Sequence, residues 1–313
     1  KLGSAVSDTF VCICVLKREF FVTVKTVGVM SPGDMGSGVG GVLVRSGLRV
    51  ITSLKGRGEA SRSRALEQGI VDVGSLDDVV TASDLILSIL VPSEALAFTE
   101  SVGESIVRTG SQVAFADCNA VSPATGVKIG EIISAAGGMF IDAGIIGGSP
   151  RTGAVPRFYA SGEYAMILAE LDGKGISVPI MGGDVGRASG LKMVYAALTK
   201  GSAALHASTL MTAKSLGLFD DLICELEESQ PATLNAMNRV NSISAQAFRW
   251  IGEMEEIAAT FKDAGITPNI HTGAAETFQK ISNSAIGHER VGTVDQNRTL
   301  EDTVAAMLVK LDR

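Results

Sequence analysis

Three polar side chains on one helix face could carry out proton transfer. Lys192, Tyr195 and Thr199 stand at positions i, i+3 and i+7 of a long, mostly apolar segment with helical periodicity. A lysine there either extends its ammonium group to solvent or loses hydration, which lowers its pKa toward neutrality. In the second case Lys192 can donate a proton in carbonyl reduction or accept one in alcohol oxidation. Taken alone, the helix favours the solvent-reaching alternative.

A glycine-bearing turn near the start of the chain predicts a dinucleotide site. An apolar strand pattern over Val24–Val29 leads through Ser31-Pro32-Gly33-Asp34-Met35-Gly36 into a helix. Gly33 would let the backbone approach a pyrophosphate, and Gly36 would let the helix pack closely on the strand. Ser31 replaces the first glycine of the usual G-x-G-x-x-G pattern, so a plain turn is the alternative. A second strand over Leu48–Thr52, at βαβ spacing, favours the dinucleotide site.

Basic residues after this second strand predict which dinucleotide is bound. An NAD site normally has a carboxylate at the strand end, but Ser53 and Leu54 stand there. The residues that follow include four basic ones, Lys55, Arg57, Arg62 and Arg64. A guanidinium binds a 2′-phosphate through two hydrogen bonds, whereas a carboxylate would repel it. We therefore expect NADP(H) to be preferred over NAD(H), with Arg57 and Arg62 in the cofactor site. A solvated basic loop is the alternative.

The order of the predicted elements indicates an α/β fold. Apolar strands alternate with helical patterns over the first half, which predicts a Rossmann-type, doubly wound parallel sheet. Beyond it every pattern is helical, with the first helix ending near 206 and the next spanning 208–228. We predict an N-terminal extension at 1–23, an NADP-binding domain at 24–185 and an all-α C-terminal domain at 186–313. On the first helix of this last domain, apolar residues are assigned to the core: Met193, Val194, Leu198 and Leu205.

Ligands of such sheets lie at the carboxyl ends of the strands, which extends the predicted site. On this rule the cofactor side includes Leu90, Val91 and Pro92 after one strand and Asn119 after the next. A second glycine-rich loop at 144–151 follows a later strand and offers backbone amides to an anion. The predicted substrate-binding residues are Ile146, Gly147, Gly148, Ser149 and Thr199.

Composition limits the class of protein. The chain of 313 residues is long enough for two domains, and its net charge of -7, without a basic stripe, argues against nucleic acid. No apolar run reaches the length of about 18 residues that a membrane span needs. Its 4 cysteines and 3 histidines lack metal-ligand spacing, so we expect no metal and a reducing, cytoplasmic compartment.

Five ordered motifs resemble the superfamily of 6-phosphogluconate and 3-hydroxyisobutyrate dehydrogenases. They lie at 28–36, 117–123, 142–148, 188–201 and 249–257, and they are most similar to the branch with a DUF1932-type C-terminal domain. This resemblance implies an NAD(P)-binding domain, a helical domain that commonly builds a homodimer, and a catalytic lysine at Lys192. It also implies hydride transfer between nicotinamide C4 and a carbon of a small-molecule substrate.

Three positions depart from the pattern of that superfamily. Ala196 replaces an asparagine one turn after the lysine, Ile146 replaces a serine, and Gly252-Glu253 replaces a lysine on a later helix. These changes remove groups that bind a carboxylate, so we expect a less acidic or differently shaped carbonyl substrate. Arg249 and Glu253 are expected to form a surface pair at i, i+4, with a role in the substrate pocket as the alternative.

The expected function is that of an NADP(H)-dependent dehydrogenase or reductase of the β-hydroxyacid dehydrogenase type. It would act on a small hydroxy or carbonyl compound, with Lys192 as general acid and base and Tyr195 beside it. Two alternatives remain: an NADPH-dependent imine reductase, and a non-catalytic NADP-binding sensor or scaffold protein.

Overall fold

The computed structural model of the protein describes residues 23–310. The predicted extension therefore lies outside the described residues except for its last position. A seven-stranded sheet has the order β3-β2-β1-β4-β5-β6-β7, in which β7 alone runs antiparallel to its neighbour. Its strands are β1 (Thr26–Met30), β2 (Arg49–Thr52), β3 (Val71–Asp72), β4 (Leu85–Ser88), β5 (Ala114–Asp117), β6 (Met139–Ile146) and β7 (Arg157–Ser161).

Six helices accompany the sheet, and their order confirms the predicted doubly wound fold. Strand order 3-2-1-4-5-6 reverses between β1 and β4, which creates the crevice where such sheets bind ligands. The helices are α1 (Asp34–Arg45), α2 (Glu59–Glu67), α3 (Leu76–Ala82), α4 (Ala95–Thr109), α5 (Pro123–Ala135) and α6 (Ala165–Ala169).

The end of β6 differs from the sequence-based prediction. Gly144 to Ile146, expected to begin a glycine-rich loop, continue the strand and pair with Tyr159, Phe158 and Arg157 of β7. This antiparallel partner was not expected to reach so far, and it supplies hydrogen bonds that a loop would lack. The loop itself is shorter and begins at Gly147.

Beyond residue 186 the described chain is mainly α-helical, as predicted. It contains α7 (Arg187–Ser215), α8 (Phe219–Ser229), α9 (Pro231–Met237), α10 (Ser244–Asp263), α11 (Asn269–Ser282) and α12 (Leu300–Leu308). The predicted break near 207 is wrong, because α7 continues to Ser215 with Ala204, Ala207 and Leu210 all buried. The helix ends instead before Gly217, whose φ of 72° suits a left-handed turn. None of the helices described is long and apolar enough to cross a membrane.

One assignment to the core of the helical region is also wrong. Met193 is fully buried as expected, but Val194 is 51%, Leu205 64% and Leu198 71% exposed. These three apolar side chains lie on the outer face of α7, because Met193 and Ala197 already occupy the face that contacts α10 and α11. The exposed apolar face of α7 is thus defined by Val194, Leu198 and Leu205.

Candidate active site

The turn between β1 and α1 has the geometry of a pyrophosphate-binding loop. Ser31 adopts a φ of 64°, the sole positive φ of a non-glycine residue within 23–310, so it takes the conformation usual for the missing glycine. A Cβ atom on Gly36 would overlap the Ser31 carbonyl oxygen, whereas one on Gly33 would meet nothing nearer than 4.0 Å. No side chain caps the start of α1. The first-turn amides therefore remain available to an anion, which fits the phosphates of a dinucleotide.

A cavity of about 420 Å³ lies beyond the end of β2. Its lining comprises Met30, Ser53, Lys55, Arg57, Ser75, Leu76, Asp77, Phe98, Ser101 and Arg108. Arg57, predicted to bind the cofactor, lines this cavity. Arg62 instead donates to the carbonyls of Leu54, at 2.9 Å, and Arg57, at 3.2 Å, so its guanidinium holds the loop in shape.

Among the described residues that line this cavity, the one carboxylate, Asp77, is already paired. Arg108 donates to Asp77 at 2.6 Å, and hydrogen bonds from Arg108 and Ser105 lower the pKa of Asp77 to about 2. Lys55 and Arg57, which also line the cavity, are exposed. The cavity therefore carries a net positive charge, because the Asp77 carboxylate is balanced by Arg108.

Asn119, predicted to contact the cofactor, forms its hydrogen bonds with other residues of the protein. Its Oδ1 accepts from the Leu90 amide at 2.5 Å, and its Nδ2 donates to the Ser88 hydroxyl at 2.9 Å and to Asp117. The side chain is only 2% exposed. Asn119 thus ties the end of β4 to the end of β5 and fixes the half-buried segment Leu90–Pro92.

Asp117 is a buried carboxyl group at the floor of this region. Its pKa is raised to about 7, mainly by burial and also by the charge of Asp142, its neighbour in register on β6. Hydrogen bonds from Asn119 and Ser88 oppose it. Its Oδ2 accepts no hydrogen bond from any part of the described chain.

The Lys192 ammonium lies against the carboxyl end of β6. Its Nζ donates to the Ile145 carbonyl at 2.8 Å. The pKa of Lys192 is lowered to about 8: desolvation is the largest cause, the charges of Lys200 and Arg249 also lower it, and Glu253 raises it. The sequence left two alternatives for this lysine, an ammonium that reaches solvent and a desolvated one. In the structure the ammonium is desolvated.

Two features fix α7, and with it Lys192, against the sheet. The buried Asp142 carboxylate accepts from the amides of Gly186, at 2.8 Å, Ala188, at 3.0 Å, and Ser189, at 3.2 Å, and so caps the start of α7. A Cβ atom on Gly144 would lie 2.8 Å from the Ala188 carbonyl oxygen. Glycine at this position therefore allows the helix to approach β6 closely.

The predicted pair between Arg249 and Glu253 is wrong. Glu253 binds Lys200 of α7 at 2.7 Å, and both side chains are about nine-tenths buried. The packing of α10 against α7 brings Lys200 next to Glu253, so Glu253 pairs with Lys200 and not with Arg249 on its own helix. Arg249 stays close enough to Lys192 to act on its pKa.

The other predicted residues of the helix face and loop lie in different environments. Tyr195 is 44% exposed, and the Thr199 hydroxyl donates to its own helix, at 3.3 Å to the Tyr195 carbonyl and at 3.4 Å to that of Ala196. Gly147 and Gly148 are exposed and Ile146 is buried. Ser149 is also buried and donates to the Asp34 carbonyl at 3.0 Å, which joins this loop to the first turn of α1.

Sequence reasoning missed several residues of the site. Lys200 and Glu256 were not expected to take part, and Asp142 was noted only as part of a motif. Local spacing gives no signal for them, because their partners lie between 19 and 134 positions away along the chain. Within 23–310, no group of three potential ligands could hold a metal ion.

Comparison with known proteins gives matches over both regions. Residues 26–170 match the NAD binding domain of 6-phosphogluconate dehydrogenase, and residues 213–281 match the domain of unknown function DUF1932. An uncharacterised 28.5 kDa protein in the 7S RNA 5′ region of Methanothermus fervidus is 32% identical over 183 residues, which cover 58% of this chain and 69% of that protein.

Two solved structures share the architecture. One is a conserved protein of unknown function described as similar to 3-hydroxyacid dehydrogenases; it has 29% identity and a TM-score of 0.61, over 82% of this chain and 96% of the other. A 3-hydroxyisobutyrate dehydrogenase from Salmonella typhimurium has 17% identity and a TM-score of 0.66, over 90% and 99%. At that identity the second likeness shows the fold alone.

Proposed function

Because the chain belongs to the superfamily of 6-phosphogluconate and 3-hydroxyisobutyrate dehydrogenases, in the branch with a DUF1932 domain, we propose that it is an NADP(H)-dependent oxidoreductase. Its substrate is a small hydroxy or carbonyl compound. A bound nicotinamide dinucleotide would supply or accept the hydride. The residues of this chain bind and orient the reactants and move the proton.

One observation carries the proposal: a desolvated lysine stands at the carboxyl edge of the sheet. Lys192 reaches the Ile145 carbonyl at 2.8 Å, and its pKa is lowered to about 8. A group that titrates near the working pH is a competent general acid and base. Below the pKa of Lys192 the ammonium donates a proton to a carbonyl oxygen during reduction. Above it, the free amine accepts the hydroxyl proton during oxidation.

The remaining residues take binding roles. We assign the turn Ser31–Gly36 and the first amides of α1 to the pyrophosphate, since their backbone leaves room for close approach. Leu90–Pro92, held by Asn119, support the nicotinamide half from the ends of β4 and β5. The exposed amides of Gly147 and Gly148 orient the substrate next to Lys192.

The proposed preference for NADP(H) rests on the charge of the cavity beyond β2. Arg57 and Lys55 provide cations there, and Asp77 does not cancel them because it is paired with Arg108. A 2′-phosphate would find an unbalanced guanidinium at this point. NAD(H) has no 2′-phosphate and would not form this contact.

The first test measures nucleotide binding and turnover with the wild-type protein. Titration followed by the fluorescence of the single Trp should give a Kd for NADPH at least about tenfold below that for NADH, or about 1.4 kcal/mol. Equal affinities would remove the preference. NADPH oxidation is then followed spectrophotometrically over a panel of small aldehydes, ketones and cyclic imines. Tight binding without turnover of any panel member would favour the sensor alternative.

A homodimer through the helical region is part of the proposal. The exposed apolar face of α7 supports it, since three large apolar side chains there lie 51–71% exposed. Light scattering after size-exclusion chromatography should give twice the chain mass of 32.4 kDa. Leu198→Glu should shift the mass to that of one chain, while Leu66→Glu, on an exposed leucine far from α7, should not. A wild-type monomer would contradict the proposal.

A further inference from the structure

The carboxylate of Glu256 connects the helical region to the cofactor side of the sheet. Glu256 lies half-buried on α10, and its Oε2 accepts from the Ser122 amide at 2.6 Å and from the Thr125 hydroxyl at 3.0 Å. These partners form the start of α5. The contact joins residues 134 positions apart.

This contact completes a capping motif that α5 cannot complete by itself. The Ser122 hydroxyl accepts from the Thr125 amide at 3.3 Å, which is one half of a capping box. The other half needs a carboxylate at the third helical position to accept the amide of the capping residue, and Thr125 has none. In α3, Asp78 fills that role locally for Ser75. For α5 the carboxylate comes from α10.

The Ser122 amide, which donates to Glu256, belongs to a loop that reaches the cofactor side of the sheet. Residues 118–122 lead from β5 to α5, and within them Asn119 fixes the Leu90 amide at 2.5 Å. Ala120, in the same loop, packs against the core of the helical region. A displacement of α10 would therefore be transmitted through Ser122 and Asn119 to the segment after β4.

The same helix also contacts the side that carries the proposed proton donor. One turn before Glu256, Glu253 binds Lys200 of α7 at 2.7 Å. Lys200 in turn acts on the pKa of Lys192. The helix α10 thus bridges the loop that supports the nicotinamide half and the helix that bears Lys192.

We propose that Glu256 is a positioning residue: its bonds to Ser122 and Thr125 fix the loop 118–122 and, through Asn119, the Leu90–Pro92 segment relative to Lys192. This inference rests on the proposed function for its catalytic consequence, though not for its structural one. A purely local role as a helix cap would stabilise α5 without affecting Leu90.

The structural consequence is tested by hydrogen exchange in three variants of the full chain. Glu256→Ala removes the acceptor, Glu256→Gln keeps a neutral one, and Glu255→Ala changes the exposed neighbouring carboxylate as a matched control. In Glu256→Ala the amides of both Ser122 and Leu90 should exchange at least about tenfold faster than in wild type, as expected for loss of a charge-assisted hydrogen bond. Glu256→Gln should restore most of the protection, and Glu255→Ala should match wild type.

The catalytic consequence is tested in the same variants. For Glu256→Ala we expect kcat to fall about tenfold, because misplaced reacting atoms lose orientation, while the pH midpoint set by Lys192 stays in place. Binding of 2′,5′-ADP, which lacks the nicotinamide half, should be unchanged. Faster exchange confined to 122–125, with Leu90 protected as before, would overturn the proposal and leave only a helix cap. If wild type turns over no substrate, the proposed function fails, but the exchange data still decide the coupling.

Discussion

The two ends of the proposed cofactor groove use cations in opposite ways. Lys55 and Arg57 lie on an exposed loop beside a cavity of about 420 Å³, where solvent stabilises their charge. Lys192 lies on a helix packed against β6, where desolvation lowers its pKa to about 8. Environment, more than residue type, therefore decides whether a cation binds an anion or transfers a proton.

Removing the desolvated cation, Lys192, should have the largest effect. Lys192→Ala should lower kcat by about 1000-fold, within the range attributed to general acid–base catalysis. Lys192→Arg should lower kcat almost as much, because a guanidinium keeps its charge but does not release a proton. Steady-state kinetics against Lys262→Ala, an exposed lysine on α10, provide the control. Full activity in Lys192→Ala would exclude the assignment.

Burial should also govern a carboxyl group in the same region. The pKa of Asp117 is raised to about 7, so its neutral form is favoured in the fold, and unfolding releases a proton between pH 4 and 7. Stability from this group is thus present below its unfolded pKa and is lost as pH rises, by up to about 4 kcal/mol for three pKa units. Urea unfolding at several pH values should show a weaker loss in Asp117→Asn. Parallel curves for the two proteins would contradict the raised pKa.

The pH dependence of turnover should reveal the lowered pKa of Lys192. For alcohol oxidation, kcat/KM should rise about tenfold per pH unit below about 8 and level off above it, because the free amine is the base. For carbonyl reduction it should fall above about 8, because the ammonium is the acid. Glu253→Gln should move the midpoint down, since Glu253 raises this pKa. An unchanged midpoint would show that Glu253 does not affect the pKa of Lys192.

Removing an exposed cation should have the smallest effect of the four. Arg57→Ala should weaken NADPH binding about tenfold and leave NADH binding unchanged, because only a 2′-phosphate contact is lost. Arg64→Ala is the matched control, since Arg64 belongs to the same basic cluster but does not line the cavity. Equal losses for both nucleotides would place Arg57 in a structural role.

Local patterns were sufficient for most elements of the fold. Apolar strands, helices of period 3.6 and the turn before α1 all appear in the structure near their predicted positions. Errors arose where tertiary contacts outweighed local signals. Pairing with β7 extended β6 through Gly144, and core packing carried α7 through the predicted break near 207.

The site divides in the same way. The turn at Ser31–Gly36 and the basic cluster were predicted from residue type and position, and the catalytic role of Lys192 from the resemblance to the superfamily. The roles of Asn119, Arg62 and Ser149 were not, because whether a polar side chain faces a ligand or bonds to the protein depends on partners elsewhere in the chain. The exposure of Leu198 and Leu205 was likewise decided by which face of α7 met α10 and α11.

By itself, the sequence determined the element types, their order and the residues able to do chemistry, since these follow from periodicity and side-chain identity. The tertiary structure alone decided that Lys192 is desolvated, that Asp142 caps α7, and that Glu253 binds Lys200 instead of Arg249. The physical reason is that pKa values and long-range hydrogen bonds depend on burial and on distances in space, which spacing along the chain does not specify.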